Sequence, residues 1–125
     1  MGESHTSGSQ GHFLYFTKKV LPAINPNFLF ITGDITDSIS KDFKIGTVKE
    51  DWMMYRKIID HTNIPTKNNG TFLWDMRGNH DCFMIPEWNS SYNYFKDYSH
   101  TKTRGFSFNY ETSYGTYSFV GLDGW

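Results

Sequence analysis

Two apolar runs, NFLFIT and TFLWDMR, each end on a glycine followed at once by residues that hold protons or cations. The first gives Gly33-Asp34-Ile35-Thr36-Asp37 and the second gives Gly78-Asn79-His80-Asp81. Residues 27–32 are apolar on both faces, as expected of a strand covered on both sides. Glycine allows a sharp exit and leaves room for a ligand against the backbone. A turn alone accounts for most glycine–aspartate pairs. It does not account for two such clusters closing two consecutive strands with one helix between them. In a parallel sheet that order brings both clusters to one edge, where ligands gather in open α/β sheets.

The intervening segments support this alternation. Ser7 and Gln10 have the spacing of a capping box. Behind them Phe13, Leu14, Thr17, Val20, Leu21 and Ile24 follow a helical period that Pro26 closes. Thr47 and Glu50 repeat the capping spacing, and Trp52, Tyr55, Ile58 and Ile59 stripe a second helix. SISKDFKIG reads as a polar loop, and HTNIPTKNNG as turn chemistry throughout. The second strand covers residues 71–77. After Pro86, residues 89–98 read as a short helix. FSFNYET and TYSFVGLD flank Ser113, Tyr114 and Gly115 as a β-hairpin. Helix, strand, helix, strand over the first 81 residues is the rhythm of an α/β fold. The length predicts one domain over 1–125, with 1–9 as a flexible tail.

Composition narrows the function. Lys plus Arg is 12 against 13 Asp plus Glu, a net charge of −1, so no nucleic acid is expected. Base-stacking aromatics need a basic groove, and the basic residues here are scattered. Cys82 is the only cysteine, which rules out an internal disulfide. No run approaches the roughly 18 apolar residues of a membrane span. MGESHTSGSQ lacks the apolar stretch of a signal peptide. Asn69-Gly70-Thr71 and Asn89-Ser90-Ser91 match the glycosylation sequon, at a frequency that chance supplies in so Asn-rich a chain.

The residue types at the strand ends suggest a chemistry. Asp34 offers hard carboxylate oxygens that can bridge two cations. Asn79 offers a neutral amide oxygen to the same cluster. His80 stands beside it as a proton donor or charge stabiliser. Asp81 is placed to fix the tautomer of His80 by accepting its other N–H.

GDITD followed by GNHD resembles two signature blocks of the calcineurin-like metallophosphoesterases. The longer run WDMRGNHDCFMIPEWNSSYNYFKDYS, with Phe83, Ile85, Pro86, Tyr92, Tyr94, Tyr98 and Ser99, resembles the transmembrane protein 62-like branch of that family, as does YGTYSFVGLD. The resemblance implies an α/β fold, here a partial αββα metallophosphoesterase sandwich in an incomplete domain. It implies hydrolysis of a phosphate mono- or diester at a dinuclear metal centre. Asp34 is then the bridging carboxylate and Asn79 a ligand of one metal. His80 faces the scissile phosphate, Asp81 supports His80, and Asp37 lies behind the ligands rather than among them. The implied cofactors are two divalent or trivalent ions, Mn, Fe or Zn, and the implied partner is a phosphoester. The branch joins its phosphoesterase domain to membrane helices, so membrane association is expected only through segments absent from this chain. Compartment and substrate are not specified by these blocks.

The departures from the family pattern carry equal weight. No D-x-H block occurs, and Glu3-Ser4-His5, the nearby substitute, reads as a solvated tail. The later lone His and the G-H-x-H block are also missing. His100 suits a loop, and His12 and His61 suit ordinary helical surfaces. Two cations about 3.5–4 Å apart concentrate about four positive charges. One carboxylate and one amide do not hold them. The chain therefore reads as a fragment of a longer metal-dependent phosphoesterase, inactive in isolation; the alternative is a non-catalytic remnant or interaction piece. A missing neighbouring strand predicts an exposed edge at 27–32, with Phe28, Phe30 and Trp74 short of cover.

Overall fold

The computed structural model describes residues 9–37, 47–62, 66–67, 70–71, 73–85 and 87–124. The proposed cap at Ser7, the tail through residue 8 with Glu3-Ser4-His5, the loop 38–46 and the sequon at Asn69 lie outside these residues. Ser9, assigned to the tail, already opens a helix.

Helix α1 (Ser9–Tyr15) widens into a π turn at Phe16–Val20 and continues as α2 (Leu21–Ile24). The widening has a local cause. Pro22 has no N–H to give to the preceding turn, and its ring crowds the carbonyl four residues back. The turn relaxes so that the Leu21 N–H reaches Phe16 O, five residues back. Asn25, in the left-handed region at φ 49°, then ends the helix, its N–H bonded to Leu21 O at 2.8 Å. The Gln10 amide donates to Asp51 Oδ1 at 3.1 Å.

Strand β1 (Leu29–Ile31) leads to α3 (Lys49–Thr62), which buries the predicted stripe of Trp52, Tyr55, Ile58 and Ile59. The expected cap at Thr47 is replaced by a long-range bond: its hydroxyl donates to Tyr92 O at 2.9 Å. Within the segment read as turns, β2 (Thr66–Lys67) and β3 (Gly70–Thr71) pair antiparallel. Strand β4 (Leu73–Asp75) is shorter than the 71–77 expected, and it pairs with β1 in parallel, Leu29 opposite Leu73 and Ile31 opposite Asp75. The short helix falls at α4 (Phe95–Tyr98), the C-terminal part of the predicted 89–98. β5 (Gly105–Thr112) and β6 (Gly115–Leu122) form the predicted hairpin, from Gly105 opposite Leu122 to Thr112 opposite Gly115.

Side-chain alternation on β1 and β4 gives the parallel pair two faces. Leu29, Ile31 and Leu73 turn to the helices, into a core of Leu21, Trp52, Tyr55, Ile59 and Phe95. Phe28, Phe30 and Trp74 turn the other way, onto the hairpin. Trp74 stacks on Phe108 at 4.8 Å with planes 3° apart, and Phe28 meets Phe119 edge-on at 5.0 Å. The cover expected to be missing is thus supplied by β5 and β6, and Phe28, Phe30 and Trp74 are half-buried rather than exposed. Helices, parallel pair and hairpin stack in three layers of a mixed α/β fold.

Candidate metal and phosphate site

The parallel register places the ends of β1 and β4 side by side, with Met76 N–H bonded to Ile31 O at 3.0 Å just past the paired residues. The two glycine loops then cross in close contact. Gly33 has φ 106°, and a Cβ there would lie 2.4 Å from Gly78 N. A Cβ on Gly78 would lie 2.2 Å from Asp34 Oδ1. Neither position has space for a side chain, so the glycines permit the crossing itself and not only the turns. Asp34 follows at φ 52°, a left-handed conformation that Asp tolerates better than most residues. Its exposed carboxylate lies over the second loop, Oδ1 accepting the His80 N–H at 3.1 Å. Asn79, the expected amide donor, is exposed on that loop.

Asp81 is fully buried and has other partners than the one expected. Oδ2 accepts N–H bonds from Gly78 at 2.9 Å and Ile35 at 3.1 Å. Oδ1 accepts from the Thr36 N–H at 2.9 Å and the Thr36 hydroxyl at 3.3 Å. One carboxylate therefore ties the first glycine loop to the second. Burial pushes its carboxyl above the usual carboxylate range, and the bonds from Gly78, Thr36 and Ile35 oppose that rise.

The His80 ring is held from the first loop instead. Its Nδ1 lies 3.0 Å from Asp37 O and 3.6 Å from Asp37 Oδ1. The Asp37 carbonyl raises the His80 pKa, and Asp34, Asp37 and Asp81 add to the rise by their charge. With Nδ1–H given to Asp37, the ring presents Nε2 away from that contact. Cys82 donates its thiol to Gly78 O at 3.2 Å, and burial pushes its pKa up.

Three further residues that shape this edge went unread in the sequence. Asp75, fully buried at the end of β4, accepts the Tyr55 hydroxyl at 2.9 Å and the N–H groups of His100 and Thr101, each at 2.7 Å. Arg77, next to Gly78, forms a buried ion pair with Asp123, Nη2 to Oδ2 at 2.5 Å and Nε to Oδ2 at 2.7 Å. Its guanidinium also lies 4.8 Å from the Trp88 ring centre. The signal for Asp123 was available: like Asp34, it is an aspartate directly behind an apolar strand. His61 bonds within its own helix, Nδ1 to Lys57 O at 2.8 Å, and His12 is exposed on α1.

Among the described residues no group of three His, Cys, Asp or Glu side chains is placed to hold a metal ion. Asp34 and Asn79 present oxygen donors at one edge, which suits a hard cation, but two donors do not complete a dinuclear centre. No helix of the described residues is long and apolar enough to cross a membrane.

The chain is similar to known proteins over nearly all of its length. The profile of the calcineurin-like phosphoesterases matches residues 2–124. An Arabidopsis thaliana protein named as a metallophosphoesterase is 37% identical over 109 residues, 82% of this chain and 15% of that protein. Transmembrane protein 62 of Mus musculus is 33% identical over 110 residues, 86% of this chain and 17% of that protein. The chain thus spans less than a fifth of either relative. No solved structure matches it.

Proposed function

The chain belongs to the calcineurin-like phosphoesterase family, and from that premise we propose that it carries part of a dinuclear metal centre hydrolysing a phosphate mono- or diester. The observation that supports this most directly is the crossing at Gly33 and Gly78, which lays the Asp34 carboxylate over the backbone of the loop that carries Asn79 and His80. Asp34 and Asn79 are the ligands in this reading. The remaining donors come from chain outside the described residues. When bound, a pair of cations supplies an acidified water and charge for the phosphoryl oxygens.

The chain's own residues do the rest. Asp37 fixes the His80 ring through Nδ1 and favours its protonated form. A protonated Nε2–H then donates to a phosphoryl or leaving-group oxygen as charge develops there. Asp81 is a positioning residue: it holds the two loops at the spacing that brings Asp34 to His80.

The second reading, a non-catalytic remnant or interaction piece, draws support from the lack of a three-ligand cluster among the described residues. Metal content separates the two. The native protein, with whatever sequence flanks this stretch, is expected to bind about two ions per chain and to hydrolyse a chromogenic phosphoester. Asp34→Asn should lower metal occupancy and rate together. His80→Ala should lower the rate by about 10²–10⁴-fold with metal largely retained. Native protein that binds no metal and turns over no ester favours the remnant.

A further inference from the structure

We propose that Asp123 is a positioning residue for the glycine crossing: acting through Arg77, it fixes where Asp34 lies over the loop of Asn79 and His80. The consequence for metal binding rests on the phosphoesterase reading; the positioning itself does not. Asp123 is held at the base of the hairpin, its N–H donating to Arg104 O at 2.7 Å. Two guanidinium N–H groups of Arg77 converge on its Oδ2, from Nη2 at 2.5 Å and Nε at 2.7 Å. A rigid planar group held at two points has one orientation, unlike a lysine ammonium on its flexible stem. The Trp88 ring lies against the same guanidinium, 4.8 Å from ring centre to Cζ. Trp88 is fixed in turn, its carbonyl accepting the Asn93 side-chain amide at 2.7 Å.

The backbone end of Arg77 is part of the crossing. A Cβ on Gly33 would lie 2.9 Å from the Arg77 carbonyl carbon, so Arg77 packs directly on the first glycine loop. The next residue is Gly78, where a Cβ would lie 2.2 Å from Asp34 Oδ1. A displacement of Arg77 is therefore a displacement of the floor beneath the Asp34 carboxylate. The burial of the pair argues that its work is position more than stability. The two side chains are 3% and 2% exposed, and at that depth the cost of desolvating both charges offsets most of their attraction. Apolar residues of similar volume would hold hairpin and sheet together about as well. They would not fix the backbone at residue 77. Asp81 ties the two loops to each other; Arg77 and Asp123 set where the tied loops stand on the sheet.

The test is made on the native protein, first without metal and then with Mn²⁺. Arg77→Met combined with Asp123→Leu removes both charges at similar volume; Arg77→Lys keeps the charge and loses the rigid fork. The paired variant is expected to melt within about 4 °C of native. Its His80 backbone amide, which donates to Asp34 Oδ1, should shift in the metal-free spectrum while the Ile59 amide in the core stays in place. Mn²⁺ affinity should fall by about 10–100-fold, the usual effect of losing a residue that orients metal ligands. Arg77→Lys should produce the same two changes. A native His80 resonance in the folded paired variant would overturn the proposal, whatever happens to Mn²⁺, because any loss of affinity would then come from charge alone. A native resonance in Arg77→Lys would overturn it too, by showing that the fork is not needed. A shifted His80 with undiminished Mn²⁺ affinity would make the crossing irrelevant to the site and would likewise overturn it. If His80 shifts and not even the native protein binds Mn²⁺, the positioning stands and the metal-site reading fails. Should the paired variant not fold, Arg77→Lys decides alone by the same two readouts.

Discussion

Asp34 and Asp81 stand at the mouths of the two strands, yet their surroundings give them different work. Asp34 is exposed and keeps its carboxylate at the surface of the loop crossing, whereas Asp81 is fully enclosed by donors. An amide at position 81 would turn one donor group toward the N–H groups of Ile35, Thr36 and Gly78. Asp81→Asn should therefore destabilise the fold by about 2–3 kcal/mol. Urea unfolding with an unchanged m value measures it. Gly33→Ala combines a positive φ with a contact 2.4 Å from Gly78 N, and the neighbour is backbone that cannot swing aside. It should cost at least about 2 kcal/mol and shift the His80 backbone resonance, because the loops must part.

At the scale of elements, the corner between α3 and β4 is built on Asp75. Tyr55 from α3 and the backbone of His100 and Thr101 converge on its carboxylate. Burial raises the Tyr55 pKa well above its ordinary value, with the Asp75 charge adding to the rise. Burial lowers the His100 pKa. The signs give a window. As pH rises past the ordinary tyrosine value of about 10, the unfolded chain ionises Tyr55 and the folded one resists, so stability falls. As pH drops below the ordinary histidine value of about 6.5, the unfolded chain protonates His100 and the folded one resists, so stability falls again. Thermal unfolding is thus expected to trace a profile that drops below about pH 6.5 through His100 and above about pH 10 through Tyr55, with the raised pKa values of His80 and Cys82 adding a decline as pH rises between them. His100→Gln should flatten the acidic side of it, and Tyr55→Phe the alkaline side.

Across the whole molecule, the hairpin serves as the second cover of the parallel pair. Trp74 stacks on Phe108, and Phe30 lies over Phe106 at 6.0 Å. The Arg77–Asp123 ion pair then fastens the end of β6 to the exit of β4, directly before Gly78. Phe108→Ala should destabilise by about 2 kcal/mol, less than the 3–5 of a fully buried ring because Phe108 is half-buried. It should also raise aggregation on heating, since β1 and β4 would lose cover on one face.

What the sequence by itself determined is local. The stripe of Trp52, Tyr55, Ile58 and Ile59 follows from a helical period, and the hairpin from two alternating runs around a short turn. The glycine-led clusters follow from chain order, because adjacent parallel strands share one edge. Only the tertiary structure decided which side chains those clusters would meet. Asp81 was read as a partner of the His80 ring and is bonded to Ile35, Thr36 and Gly78; Asp37 holds that ring through a carbonyl that every residue carries. Thr47 matches a capping pattern and donates instead to Tyr92 O, 45 positions away. A hydrogen-bond acceptor has no sequence preference for one donor over another, so its partner is set by what packing brings within about 3 Å. Periodicity can specify which face is apolar, but it does not say what will cover that face.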